Sequence, residues 1–351
     1  MKTFPLKSTA FAFAASLLLL AAAGPASAAD FPERQALEAR SVESGLGIDR
    51  IPLLQRLAGP GRETVAEQAL ARFAQAVGGV TTAGGSRLDL DEKRHGVIGD
   101  DGWFLTVYAD GSRIHYDNYT FLESRPELAL PLEQRLSQEV LEALGRSFVT
   151  GELQGFVSLG SGERLVPSFT EFLVQGGSST EPGGPVEEDT VLASTIVFSR
   201  TVNGVAIVGP GSKIAVTFAN DGTAVAFDVD WARYQPTGEL QDVLPVAKIL
   251  ERSAALRDGV GEENLEHMEC GYFDLGGRKR DVEAPLQAGC FLQVSVETPI
   301  EDGHLLAAYA EAVPAGVSVE ADPSWPEAAR LAGLPIPPGA PEPPAAPASK
   351  G

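Results

Sequence analysis

Four histidines and a few close-set acids are the residues of this chain whose types could do chemistry. His95, His115, His267 and His304 make up the histidine complement. A zinc-peptidase helix carries H-E-x-x-H, which sets two imidazoles on one face around the metal with a Glu as base. No such sequence occurs here, so no catalytic residue and no metal ligand is assigned. Acids fall together at Asp89, Asp91 and Glu92, at Asp100 and Asp101, and at Asp228 and Asp230. Calcium loops need oxygen ligands in a fixed rhythm around a tight turn, and none of the three groups shows it. Asp228 and Asp230 share one strand face, the geometry of paired carboxylates for acid–base work and equally that of a solvated strand.

Two glycine-rich stretches invite and then fail a chemical reading. Gly160-Ser161-Gly162 lacks the G-x-S-x-G frame of a nucleophile elbow and reads as a turn. The run from Gly209 to Lys213, Gly-Pro-Gly-Ser-Lys, ends like a phosphate loop. Its glycines are wrongly spaced, and it lies between strands instead of opening a helix. No cofactor is expected. Asn118-Tyr119-Thr120 fits a glycan acceptor.

Cys270 and Cys290 are the two cysteines. Both stand in strand-like text, CGYFD and GCFLQVSVE, with no His at zinc-ligand spacing. They read as a disulfide formed in an oxidising compartment, a staple of about 3 kcal/mol. The N-terminus agrees. Residues 1–28 combine Lys2 and Lys7, the apolar run STAFAFAASLLLLAAAG and Ala26-Ser27-Ala28, the pattern of a cleaved secretory signal. The run is short of the roughly 20 residues a bilayer-spanning helix needs, and no later stretch is long and apolar enough to span, so a secreted or periplasmic location is expected, with no membrane insertion after cleavage. The formal charge of −21 repels phosphate backbones and anionic lipid, which argues against nucleic-acid and membrane-surface partners.

The elements that would position these residues follow a helix-then-strands pattern, three times over. Residues 61–79 carry Val65, Ala69, Leu70, Phe73 and Val77 at helical spacing before Gly-Gly. A second helix is expected over 132–144, with Leu132, Leu136, Val140 and Leu144 four apart and Gly145 at its end, and a third over 244–256. Strand text follows each. Asn203-Gly204 supplies the positive-φ pair of a type I′ hairpin, and Asp221-Gly222 and Asp110-Gly111 mark two more. Gly209-Pro210-Gly211 breaks a strand.

At FSRTVNGVAIVGPGSKIAVTFANDGTAVAF, residues 198–227, the chain resembles the propeptide modules of thermolysin- and fungalysin-type secreted metalloproteases and the related PepSY domains. The shared order of parts is an aromatic strand, Asn-Gly, a short apolar return, a glycine break and a strand pair turning at Asp-Gly. The resemblance implies an α+β fold of repeated helix-on-antiparallel-sheet, cystatin-like units, here disulfide-stapled. It also implies a free-standing module without the protease half. The expected division is a signal at 1–28, an N-terminal unit at 29–125, a propeptide-like unit at 126–240, a C-terminal unit with the disulfide at 241–321, and a Pro/Ala-rich tail at 322–351. That tail reads as a flexible or polyproline-like end, and its alternative reading is a short recognition strap with Trp325 and Leu334 as anchors. The function expected is an exported non-catalytic binding protein, a protease-associated inhibitor or chaperone-like module, whose partner is another exported protein such as a peptidase. The competing readings are a hydrolase whose acids converge only on folding and a structural or ligand-binding envelope protein.

Overall fold

The computed structural model describes residues 48–59, 61, 64–69, 72, 86–91, 94–99, 102–108, 111–176, 189–256, 262–276, 285–300 and 303–317. The expected signal, the tail with Trp325 and Leu334, and Glu92, Asp100, Asp101 and Asp110 lie outside the described residues.

The chain is mostly β-sheet. β1 (Arg50–Leu57) pairs antiparallel with β12 (Arg233–Asp242) in a two-stranded sheet. Every other strand among the described residues joins a 13-stranded sheet. One wing contains β2 (Ser86–Asp91), β3 (Arg94–Ile98), β4 (Phe104–Tyr108), β5 (Arg113–Asp117), β11 (Ala224–Asp230) and β10 (Lys213–Ala219). The other contains β9 (Val205–Val208), β13 (Glu262–Phe273), β14 (Ala288–Ile300) and β15 (Gly303–Pro314). β8 (Thr190–Val202) joins the wings, and β6 (Leu130–Pro131) and β7 (Glu163–Gln175) also pair with it.

This arrangement corrects the expected cystatin-like repeats. The reason lies in β8, whose Ala193 to Phe198 pair with β10 while Arg200 to Val202 pair with β9. β9 then pairs in parallel with β13 through Ile207–Tyr272 and Val208–Phe273. One long strand thus fuses segments that local periodicity reads as separate units. Among the described residues the helices are too few to cover a sheet apiece. α1 (Tyr119–Glu123) is a single turn, and α3 (Val246–Leu256) packs near β15.

α2 (Gln138–Gly151) is the helix that covers the central sheet. Ser137 caps it, its hydroxyl accepting from Val140 N at 3.4 Å. Its buried face is Leu141, Gly145, Phe148 and Val149, while Val140 is 45% exposed. Of the expected four-apart stripe, Leu132 and Leu136 precede the helix, Leu144 packs against the core and Val140 turns outward. Gly145 does not end the helix. It is a contact point, where a Cβ would stand 2.7 Å from both Ile196 and Phe198. Phe148 meets Phe218 edge-on at 6.3 Å and tilts against Phe227 at 5.7 Å. Residues 64–69, helical within the first expected helix, add Val65, Ala66 and Ala69 to the same core.

A second core lies under the other wing, built from Ile51, Leu54, Ile249, Tyr272 and Leu292 around the cysteines. Cys270 and Cys290 stand directly opposite on β13 and β14 and form the disulfide, with S–S 2.04 Å. Among the described residues no helix is long and apolar enough to cross a membrane.

Candidate functional site

Alternation along the strands gives the central sheet two unlike faces. The face under α2 is apolar, with Ile196, Phe198, Ile214, Val216, Phe227 and Val229 all buried. Cross-strand pairing writes the opposite face as rows. One row runs Thr106, His115, Asp228, Ala215, Val197, Phe169 across β4, β5, β11, β10, β8 and β7. The next runs Phe104, Asp117, Ala226, Thr217, Thr195, Glu171 across the same strands. Charge stands at the two sides, and small residues lie between.

The β5 side holds an ionic ladder. Arg113 Nη2 donates to Asp228 Oδ2 at 2.8 Å. His115 stands between two carboxylates, with Nε2 3.2 Å from Asp117 and Nδ1 3.4 Å from Asp228. The side chains of Arg113, His115 and Asp228 are 13–19% exposed. Burial pulls the His115 pKa down, but the bonds to Asp117 and Asp228 and their charges outweigh it and push the pKa up to about 9. Burial would raise Asp228, and Arg113 and His115 reverse this and hold it well below the usual carboxylate range. Burial likewise opposes the Arg113 charge, and Asp228 and Asp230 more than compensate. At neutral pH the imidazole is a cation with both nitrogens directed at carboxylates. It has no lone pair with which to act as a general base.

The β7 side differs, because Glu171, its acid on this face, has no cation among the described residues. Glu171 has no hydrogen-bond or ion-pair partner among the described residues, and its half-burial raises its pKa. Phe169 and Leu173 flank it on the same face, two residues either way. From α1, Tyr119 lies within reach of the charges on both sides. Burial first, then Asp117 and Glu171, push its phenol up to about 12. β7 pairs only with β8 among the described strands, so its outer edge runs unpaired there. At its start that edge is blunted. Arg146 donates to the Leu165 carbonyl at 3.3 Å, and Pro167 has no N–H to offer. Beyond Pro167 no described strand pairs with this edge, and Leu173 and Val174 are 43% and 46% exposed.

Two buried polar clasps hold these parts in place. Arg200, 1% exposed, pairs with Glu163 and donates to the Ala232 carbonyl at 2.5 Å. Its guanidinium lies 4.5 Å over Trp231 and 5.2 Å over Tyr234. The clasp ties β7 and β8 to the β11–β12 connection. Asp274, fully buried, accepts from Ser212 Oγ at 2.9 Å, Tyr234 OH at 2.8 Å and Gly276 N at 3.0 Å. The glycine break docks against it. A Cβ on Gly209 would stand 2.7 Å from the Asp274 carbonyl, and one on Gly211 2.3 Å from its carboxylate carbon. Next to it Lys213 donates to the Ile207 carbonyl at 3.0 Å, and its burial lowers its pKa against the pull of Glu269, Asp274 and Asp230.

The residues singled out in the sequence scatter over this frame. Asn203 and Gly204 turn β8 into β9 with φ 51° and 85°. At the β10–β11 hairpin Gly222 alone takes positive φ, at 85°, and the Asp221 carboxylate accepts from Thr223 N at 2.9 Å. That is a type I turn closed by a left-handed glycine. His95, His267 and His304 stand on β3, β13 and β15, and Asp89 of β2 is the register partner of His95. Among the described residues no group of three His, Cys, Asp or Glu is placed to hold a metal ion. His115 and Asp228 do converge. Arg113, Asp117, Glu171, Arg200 and Asp274 escape a reading by motif. The alternation of RIHYD against AFDVD holds the signal for the ladder, and it becomes legible only once β5 is known to pair with β11.

No family model matches the chain, and no curated protein matches it. Among solved structures, the crystal structure of an uncharacterized protein from Eubacterium rectale ATCC 33656 is similar to it at a TM-score of 0.48. The two share 10% identity over 78% of this chain and 87% of that one, and a likeness at this level carries no argument about function.

Proposed function

We propose that this is a non-catalytic binding protein of the exported space, which captures an extended segment of another exported protein along the open part of β7. The observation that carries the reading is the edge itself. After Pro167 the outer backbone groups of β7 have no ladder partner among the described residues, and exposed Leu173 and Val174 flank them. Adding a strand to such an edge satisfies main-chain donors and acceptors while alternate side chains supply selectivity. The cross-strand disulfide fits an oxidising compartment. The resemblance of residues 198–227 to propeptide modules makes a peptidase the foremost partner.

The second reading, a hydrolase, rests on the convergence of His115, Asp117 and Asp228. Against it stands the raised pKa of His115, whose Nε2 is bonded to Asp117 and whose Nδ1 lies 3.4 Å from the Asp228 carboxylate.

The test is affinity capture from the exported fraction with immobilised protein, beside a variant carrying Leu173→Lys and Val174→Lys to protect the edge. The reading expects an exported protein retained by the wild type and lost from the variant, with peptidase activity in the retained fraction. Equal retention by both contradicts the edge, and no retention by either contradicts the binder.

A further inference from the structure

We infer that the β7 edge selects an extended peptide segment bearing a Lys or Arg flanked two residues either side by apolar residues. This inference rests on the proposed capture of a strand along β7, and it names what that strand must carry. Phe169 to Leu173 pair in unbroken register with Val197 to Ala193 of β8, since the irregularities fall before Phe169 and after Leu173. A strand added outside β7 therefore meets Phe169, Glu171 and Leu173 as three successive same-face positions. Directly opposed side chains are the unit of pairing between strands, and opposite charges are favourable there.

Glu171 is the position that decides the match. Its carboxylate is half-buried between two apolar neighbours, with no cation among the described residues, and on the other side it faces Thr195 of β8. The ladder on β5 shows the contrast within one molecule, for Asp117 and Asp228 there have His115 and Arg113. A partner's ammonium or guanidinium would give Glu171 what those cations give Asp117 and Asp228, and burial between Phe169 and Leu173 would strengthen the bond. A net charge of −21 steers such a basic segment inward.

The experiment is fluorescence anisotropy on the full protein, with fluorescein-labelled nonapeptides of alternating Thr and Val. The central position, in register with flanking Val two residues away, is Lys, norleucine or Glu. The Lys peptide is expected to bind about tenfold more tightly than the norleucine peptide, as a charge-assisted bond provides, and the Glu peptide more weakly than either. In Glu171→Gln the Lys preference should vanish while norleucine binding persists. Because Glu171 lies on an edge strand, circular dichroism on that variant checks that the sheet is intact, and Glu171→Asp should restore part of the preference. Equal binding of Lys and norleucine peptides to the wild type, or an unchanged Lys preference in Glu171→Gln, overturns the inference and leaves the edge reading standing. No binding of any of the peptides overturns both.

Discussion

His115 and Asp228 face each other directly across β5 and β11, with Nδ1 3.4 Å from the carboxylate, while Asp117 holds the other ring nitrogen at 3.2 Å. The pair makes the stability of the central sheet depend on pH. A histidine pKa raised from 6.5 to about 9 on folding contributes stability that is fully present below 6.5 and is lost as pH rises through about 9. Denaturant midpoints measured from pH 6 to pH 10 should fall across that window, and His115→Gln should flatten the profile. Asp228 acts at the other end. Its depressed pKa contributes stability present above the ordinary carboxylate range and lost in strong acid.

Arg200 and Glu163 form a buried ion pair in which the guanidinium also covers Trp231. Removing one partner strands the other charge in the interior, at a cost of roughly 3–5 kcal/mol. Arg200→Ala should lower stability by that order in urea unfolding. Arg200→Met with Glu163→Met should lose much less, because no charge is left unpaired.

Gly211 stands against Asp274 so closely that a methyl group would meet the carboxylate. Gly211→Ala should therefore destabilise by about 1–3 kcal/mol through overpacking. Gly151→Ala, where a Cβ meets nothing within 4 Å, serves as the control and should be neutral or better. Equal effects at the two sites would contradict the clasp.

Cys270 and Cys290 bridge β13 and β14 at a directly opposed pair. Replacing both with Ala should cost about 3 kcal/mol. Amide exchange should quicken first in β13 and β14, while the α2-covered core around Phe198 keeps its protection.

What the sequence made legible is local. Asn203-Gly204 carries its turn in two residues, because positive φ demands those types, and paired cysteines in an exported-looking chain need no topology to be joined. α2 was legible as a helix but not in its bounds or facing, since Leu132 and Leu136 precede it and Gly145, read as its end, sits on its buried face. The merged sheet was hidden. Nothing within residues 190–202 says that the two halves of β8 take different neighbours, and that pairing decides between separate units and one body. The ladder was hidden for the same reason, because Arg113 and Asp228 are 115 residues apart and meet only through the β5–β11 register.

The central claim is that β7 beyond Pro167 is where a partner strand is added. Hydrogen exchange of the protein alone and saturated with its captured partner, or with the Lys nonapeptide, tests it most directly. The account predicts that amides within Ser168 to Gln175 gain protection on binding. Unchanged exchange there, with protection appearing elsewhere on the protein, would contradict it.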